Sequence, residues 1–402
     1  MMPVTPAASV TPESSSPKPS PGQSGFGCTS LIYQDAKGAV YFGRTLELTM
    51  DLPYQLAYLP AGQGFSSRYR NHPPLDYITR HAILAVVMAD RRPSAEAPLT
   101  VADFKIVEGF NDAGLTFSLL AHPIVGGFAK EIEPTRALLR ATDLGSWALG
   151  QFQTVAEAKS ALAGQPVALD SVALLGGAEA PFHYVLHDCK GESIVLEFDR
   201  GQFTIYDNPV GVLTNGPEFS WHLTNLNNYT FLDNVDQSTA TFGKLKVRQP
   251  DSGIATAGLP ASNTSVGRFV RAVYYSRFAE KVSDPDQAVR ALAHIMNNFD
   301  RPRGISVAPR DGGGGGLEVK GLTTEPDPHV ATEYTSWTNL TDLNRRRFFL
   351  RTYDGLNYAM FDLAELARTE GIKILPLSAL DGMALDGTAM LLSPQKMSST
   401  LC

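Results

Sequence analysis

Cys28 stands where two kinds of sequence meet, and a cysteine at a new chain start there would carry both halves of a nucleophilic hydrolase on one residue. Residues 1–24, MMPVTPAASVTPESSSPKPSPGQS, hold almost no large apolar side chain. They cannot offset the entropy of ordering and are expected to form a disordered leader. Loss of residues 1–27 would free the Cys28 α-amine. Such an amine titrates at about 7.7–8.0, so it can take a proton near neutral pH without a histidine, while the thiol beside it attacks. The pair needs a cation to favour thiolate, a carboxylate to hold the amine and donors for a developing oxyanion. Arg44 and Glu47 are placed for the first two tasks. They lie on the second of two strands in TSLIYQDAKGAVYFGRTLEL, which turns at Asp35-Ala36-Lys37-Gly38 and so returns them to the chain start. The competing readings are a solvated ion pair for Arg44 and Glu47, and a small buried hydrophobe for Cys28.

The elements around this hairpin fall into groups. Strand patterns cover 104–107, 115–120, 182–187, 193–198, 202–206 and 211–214, and a meander covers 332–337, 347–353 and 357–362. Helical patterns cover 134–149, 155–162, 268–281 and 286–298. Strands grouped with strands and helices with helices predict an α+β layered fold rather than alternating βαβ units. The glycine run 312–316 follows no strand and lacks the Lys-Ser/Thr ending, so it reads as a loop and no phosphate cradle. His183 and His187 share a face of one strand with no third ligand near in sequence, and read as structural. His222 reads as structural too, because an α-amine base makes a histidine base unnecessary.

Composition excludes other classes. A net charge of −7 argues against a nucleic-acid partner. No apolar run is long enough to cross a bilayer as a helix. Three cysteines without a CxxC pair make neither a disulfide framework nor a zinc site. No cofactor or metal is expected. The leader lacks the basic and apolar regions of a secretory signal, which points to the cytoplasm.

The block CTSLIYQDAKGAVYFGRTLEL resembles the opening of the choloylglycine hydrolase family, the bile salt hydrolases and penicillin V acylases. The resemblance continues through VEGFNDAGL, YDNPVGVLTNGPEFSWHLTNLNNY, SVGRFVRA, TEYTSWTNL and RTYDGLNY. It implies an N-terminal nucleophile (Ntn) hydrolase, a four-layer αββα sandwich occupying 28–402 as one domain, and a nucleophile exposed by self-cleavage at Gly27-Cys28. By the same resemblance Cys28 is the nucleophile and Arg44 the arginine beside its thiol. Glu47 falls where the family usually has an aspartate holding the α-amine. Asn215 is the side-chain oxyanion donor, and Arg268 supports the site. Ala121 replaces a frequent asparagine and would supply a main-chain N–H to the oxyanion hole. That replacement tilts the expected substrate toward penicillin V or acyl-homoserine lactones, with conjugated bile salts as the alternative. A catalytically silent Ntn-fold protein that binds amphipathic acyl compounds is the reading from another class. Phe42, Leu56, Tyr58, Leu59, Phe65 and His122 are the candidates for an acyl pocket. The segment 226–267 corresponds to an excursion that reaches across subunits in the family, and implies a homotetramer.

Overall fold

A computed structural model describes residues 26–91, 96, 99–122, 132–172, 178–179, 182–199, 202–309 and 330–382. The expected leader up to residue 25 and the glycine run 312–316 lie outside these residues.

The hairpin forms where the turn chemistry places it. Phe26–Gln34 pairs antiparallel with Val40–Leu48, and Gly38 supplies the positive φ of the turn. These two strands sit inside a six-stranded antiparallel sheet. Its order is Val212–Leu213, Phe26–Gln34, Val40–Leu48, Tyr334–Asp342, Arg347–Thr352 and Ala359–Asp362. A second sheet has eight strands, in the order Gln202–Asp207, Ser193–Asp199, Phe182–His187, Thr116–Ala121, Phe104–Asn111, Ile83–Ala89, Gln55–Leu59 and Lys373–Pro376.

Helices Ser265–Phe278 and Pro285–Met296 cover the outer face of the six-stranded sheet. Gly43 allows the second of them to lie close, since a Cβ there would meet the Met296 side chain at 2.8 Å. Asp284 and Pro285 start that helix: the Asp284 side chain accepts from two backbone N–H groups, and proline fits the first turn. Helices Leu144–Gln151 and Val155–Gly164 cover the eight-stranded sheet. The protein is therefore the expected α+β sandwich, with two sheets face to face between two helical layers.

Strand Ile83–Ala89 shows how the layers divide the core. Leu84 and Val86 face the space between the sheets, whereas Ile83, Ala85 and Val87 face the helices. Both faces are apolar, so the sequence lacks the alternation of a half-exposed strand. Its sequence carries no alternating strand signal for that reason, and the strands Gln55–Leu59 and Lys373–Pro376 likewise lie outside the expected ones.

The expected helix over 134–149 is shorter than its periodicity implies and begins at Leu144. Arg140 Nε and Thr142 Oγ1 donate to Asp170 at 2.6 and 2.8 Å, which holds Leu139–Arg140 extended beside Val167–Ala168. The segment 226–267 contains the hairpin Thr239–Phe242 and Leu245–Arg248, whose residues are all exposed. Among the described residues no helix is long and apolar enough to cross a membrane.

Candidate active site

The sheet register decides which side of the strand each candidate serves. Cys28 opposes Leu46, Ser30 opposes Arg44, and Gly27 opposes Glu47. Directly opposed residues share a face and successive residues alternate. Arg44 therefore stands on the face of the Cys28 side chain, between the sheets. Glu47 stands on the other face, beneath the helices, together with Thr29. Thiol and amide nitrogen are thus served from opposite sides of one strand.

On the thiol side, Arg44 is wholly buried. Its Nη2 donates toward Cys28 Sγ at 3.5 Å and also to the Leu119 carbonyl, while Nη1 donates to Val107 O at 2.7 Å and Glu108 Oε2 at 3.1 Å. The second sheet makes room for it. Pairing between Phe104–Asn111 and Thr116–Ala121 ends at Glu108 opposite Ser118, and a register shift sets Val107 out of step with Ile83–Ala89. The next residue on each strand, Val107 and Leu119, then gives its carbonyl to Arg44. The bulge turns part of a ladder into a guanidinium socket. Trp337 lies under the guanidinium at 5.1 Å. Burial pushes the Glu108 carboxyl up to about 7, opposed by Arg44.

On the helix side, Asn215 and Arg268 close on the backbone of Cys28. Asn215 Oδ1 accepts from Cys28 N at 2.9 Å and from Arg268 Nη2 at 2.6 Å. Arg268 Nη1 donates to the Cys28 carbonyl and, at 3.0 Å, to Thr29 Oγ1. Burial, with Arg301 nearby, lowers Arg268 to about 10, which leaves it a cation at neutral pH. Asn215 Nδ2 donates one hydrogen to Ala121 O at 2.8 Å. An amide nitrogen has two hydrogens, so a second remains for a ligand.

Glu47 is fully buried, and its Oε1 accepts from Thr335 Oγ1 at 3.1 Å. Among the described residues its Oε2 meets no hydrogen-bond partner within ordinary geometry. A register shift between Leu46 and Glu47 aligns Thr335 with it. Burial raises its carboxyl, opposed by Arg301 and Arg268. The Cys28 amide nitrogen is bonded to Asn215 rather than to Glu47. Beside Glu47 lies Gly27: a Cβ on it would stand 2.7 Å from Glu333 Oε1 and 3.1 Å from Glu47 Cβ.

Behind this site, His183 Nδ1 meets Glu197 Oε1 and its Nε2 donates to Thr214 O, both at 2.9 Å. His122 stacks on His183 with centroids 4.7 Å apart and planes 12° from parallel. The ligand atoms of His122, His183 and Glu197 lie within 4.8 Å of one another. Yet His183 already uses both nitrogens, and stacked rings direct their lone pairs side by side rather than to one point. The arrangement suits a brace for the Thr214–Asn215 backbone. His222 Nε2 adds to it by donating to Asn215 O at 2.9 Å.

A narrow cavity of about 50 Å³ opens over Cys28 and Arg44. Its walls are apolar, with Leu46, Leu52, Tyr54, Met88 and Phe182 prominent, and Asp90, Lys105 and Thr142 stand along it. None of the six side chains expected for an acyl pocket lines it. Phe42 packs against His187, Leu56 and Tyr58 fill the inter-sheet core, and Leu59 fills the helix-side core. Phe65 stacks on Tyr77, and His122 is taken up by His183. Strand residues 55–59 are committed to packing, so the lining comes from Leu52 and Tyr54 just before them. Glu108, Glu197, Arg301 and Thr335 escaped the sequence reading. The available signal was a charged residue inside an apolar strand pattern, as at Glu108 in KIVEGFN.

Residues 28–312 match the linear amide C–N hydrolases of the choloylglycine hydrolase family. The chain belongs to that family. It is 28% identical over 349 residues to the bile salt hydrolase/transferase of Lactiplantibacillus plantarum, covering 84% of this chain and 95% of that protein. A variant of the conjugated bile acid hydrolase from Clostridium perfringens shares the fold, with TM-score 0.69, 22% identity, and 87% and 97% of the two chains covered. The penicillin V acylase from Agrobacterium tumefaciens does so with TM-score 0.64, 20% identity, and 87% and 92% covered. As a member of this family of Ntn hydrolases, the protein is an enzyme acting on linear amide bonds.

Proposed function

We propose that the mature enzyme begins at Cys28 and hydrolyses the amide of conjugated bile salts through a thioester on Cys28. The observation that carries this reading is the convergence of the Cys28 sulfur and the Arg44 guanidinium, 3.5 Å apart, at the base of an apolar cavity. The α-amine takes the thiol proton, sulfur bonds to the amide carbon, and the carbonyl oxygen becomes an oxyanion. The free hydrogen of Asn215 Nδ2 and the Ala121 N–H are the donors assigned to it. Collapse breaks the C–N bond, and the departing nitrogen takes the proton from the α-amine. Water, giving a proton to that amine, then splits the thioester and regenerates the thiol.

Two facts support maturation at Cys28. The family match starts at that residue, and Glu47 keeps a buried carboxylate oxygen, without a hydrogen-bond partner among the described residues, next to Gly27. Departure of Gly27 would leave Glu47 and Asn215 facing a new ammonium. Cys28 and Cys189 are both free, a state that a reducing cytoplasm would preserve.

Bile salts are preferred here over phenoxyacetyl penicillins and acyl-homoserine lactones, reversing the tilt taken from Ala121. The relative matched along most of the chain is named for bile salts, while the likeness to a penicillin V acylase is one of fold. Ala121 offers the same main-chain N–H as an asparagine would, so its side chain argues little about substrate. The exposed hairpin in 226–267 supports the proposal of a homotetramer in which this segment is covered by a neighbouring copy.

The test is a panel of glycine- and taurine-conjugated bile salts, penicillin V and acyl-homoserine lactones, run on protein whose intact mass has been measured. The reading expects a mass beginning at Cys28, bile salt turnover above the rest, and loss of turnover in Cys28→Ala. Turnover of penicillin V alone would overturn the substrate. An uncleaved chain that binds bile salts without hydrolysing them would establish the silent binding protein instead.

A further inference from the structure

Asn215 lies where the sheet has stopped supporting its chain. The pairing of Val212–Leu213 with Phe26–Gln34 runs from Val212 opposite Leu31 to Leu213 opposite Ser30. Beyond Leu213 the chain leaves that ladder, and at Phe219 it enters helix Phe219–Asn225. Buried main-chain groups in such a stretch still need partners, and here side chains supply them. Ser265 Oγ accepts from Asn215 N at 2.9 Å, and His222 Nε2 donates to Asn215 O at 2.9 Å. His183 Nε2 donates to Thr214 O at 2.9 Å.

Glu197 ties this stretch together at both ends. Tyr184 opposes Leu196 in the second sheet, so His183 and Glu197 meet at the next step of the same ladder. Glu197 Oε1 lies 2.9 Å from His183 Nδ1 and also accepts from Phe219 N at 3.0 Å, with Oε2 at 3.1 Å from the same nitrogen. The carboxyl thus holds Phe219 directly and Thr214 through the His183 ring, on either side of Asn215. The hydrogens can be counted. Thr214 O only accepts, so His183 Nε2 carries one hydrogen, and a second lies between Nδ1 and Oε1. His183, Glu197 and Thr214 are each 0% exposed, so bulk water replaces none of these contacts.

We infer that Glu197 is a positioning residue for the oxyanion donor Asn215, acting through His183 and the backbone of Phe219. This rests on the reading of Asn215 Nδ2 as an oxyanion donor, and it extends the machinery of the first sheet to a carboxyl on the second. The effect has a definite kinetic form. The oxyanion exists only in the transition state, so a displaced Asn215 lowers kcat and leaves substrate binding in the apolar cavity in place. A displacement on the order of 1 Å is enough to cost about 10²-fold.

Two conservative changes separate reach from charge. Glu197→Gln keeps the side-chain length: its amide oxygen accepts from Phe219 N, and its NH₂ donates to Nδ1 of a His183 that keeps its hydrogen on Nε2. Glu197→Asp keeps the charge but draws the carboxyl back by one methylene from both partners. Crystal structures of the two full-length variants read the position of Asn215 whether or not turnover is seen, and kinetics use a glycine-conjugated bile salt, per molecule whose mass begins at Cys28. Asn215 is expected to shift in Glu197→Asp, with kcat about 10²-fold lower and KM within about twofold. In Glu197→Gln it is expected to stay in place, with a loss below about fivefold. Added to Asn215→Ala, Glu197→Asp should cost little more, because both remove one interaction. An unmoved Asn215 in Glu197→Asp, a larger loss in Glu197→Gln than in Glu197→Asp, or full additivity with Asn215→Ala overturns the inference. Undiminished kcat in Asn215→Ala, or no turnover by the wild type, with Asn215 displaced in Glu197→Asp, would count instead against the proposed reaction alone.

Discussion

Arg44 and Glu108 form an ion pair with neither side chain exposed, 3.1 Å from Nη1 to Oε2, while Nη2 of the same arginine stands 3.5 Å from the Cys28 sulfur. One residue therefore joins Cys28 on one sheet to a carboxylate and two carbonyls on the other. Arg44→Met strands the Glu108 carboxylate in the interior, and breaking a buried pair this way costs about 3–5 kcal/mol. Arg44→Lys keeps the charge but lacks the fork that spans Glu108, Val107, Leu119 and the sulfur. The lysine variant is expected to stay folded and lose about 10²-fold in kcat, an electrostatic loss of the usual size for one preorganised donor. Steady-state kinetics with denaturant melts on the two variants separate the structural role from the chemical one.

Glu108 also gives stability a pH dependence of defined sign. Its carboxyl is raised from 4.5 to about 7 by burial, so between those values the folded protein keeps a proton that the unfolded chain has released. The folded state then binds more protons than the unfolded one, and this contribution to stability falls as pH rises across the window. His122 and His187, both held near 3 by burial, act oppositely as pH rises toward their ordinary value of 6.5. Comparison with Glu108→Gln removes their share. The free energy of unfolding of wild type minus that of the variant is expected to decline from about pH 5 to pH 7. A flat difference would mean that Arg44 keeps Glu108 ionised throughout.

Gly27 tests the proposed maturation without touching Cys28. A Cβ at this position comes within 3.1 Å of Glu47 Cβ, a rigid neighbour, and closer still to the movable carboxylate of Glu333. Alanine is tolerable if Glu333 swings aside, whereas the branched side chain of valine has to displace the strand. Gly27→Val is therefore expected to slow loss of the leader at least tenfold, and Gly27→Ala by much less. Intact mass followed over time after purification reads both. Equal maturation of the valine variant would show that cleavage does not depend on this packing.

The hairpin Phe26–Gln34 and Val40–Leu48 was legible because its signals are local: a turn, two strands, and a break in composition at Cys28. That Asn215 and Arg268 meet Cys28 was legible only through resemblance, since they do so across separations that spacing cannot measure, whereas the hairpin by itself returned Arg44 to the chain start. The opposition of Arg44 and Glu47 on two faces follows from their odd separation on one strand, a rule of pleat geometry available in the sequence. The socket for Arg44 was not readable. It depends on where the pairing of Phe104–Asn111 with Thr116–Ala121 stops and on the bulge at Val107, and no residue type marks either. Leu56 and Tyr58 show the matching difficulty for pockets: an aromatic or aliphatic side chain looks the same in sequence whether it lines a cavity or fills a core.

The exposed hairpin supplies the last test, at the level of assembly. Phe242 and Leu245 oppose each other across its two strands and are 69% and 63% exposed, and Phe231 and Val235 nearby are 64% and 62% exposed. A two-stranded hairpin is at best marginally stable in water without a packed face, and exposed apolar clusters of this kind mark interaction surfaces. A second copy of the chain would cover both needs at once through an isologous contact. Replacing Phe242 and Leu245 together by aspartate places like charges directly opposite each other and desolvates both if the contact forms. The double variant is expected to lower the molar mass seen by light scattering from that of a tetramer to that of a dimer or monomer. The wild-type Tm is expected to rise with protein concentration, and the Tm of the dissociated variant to be independent of it.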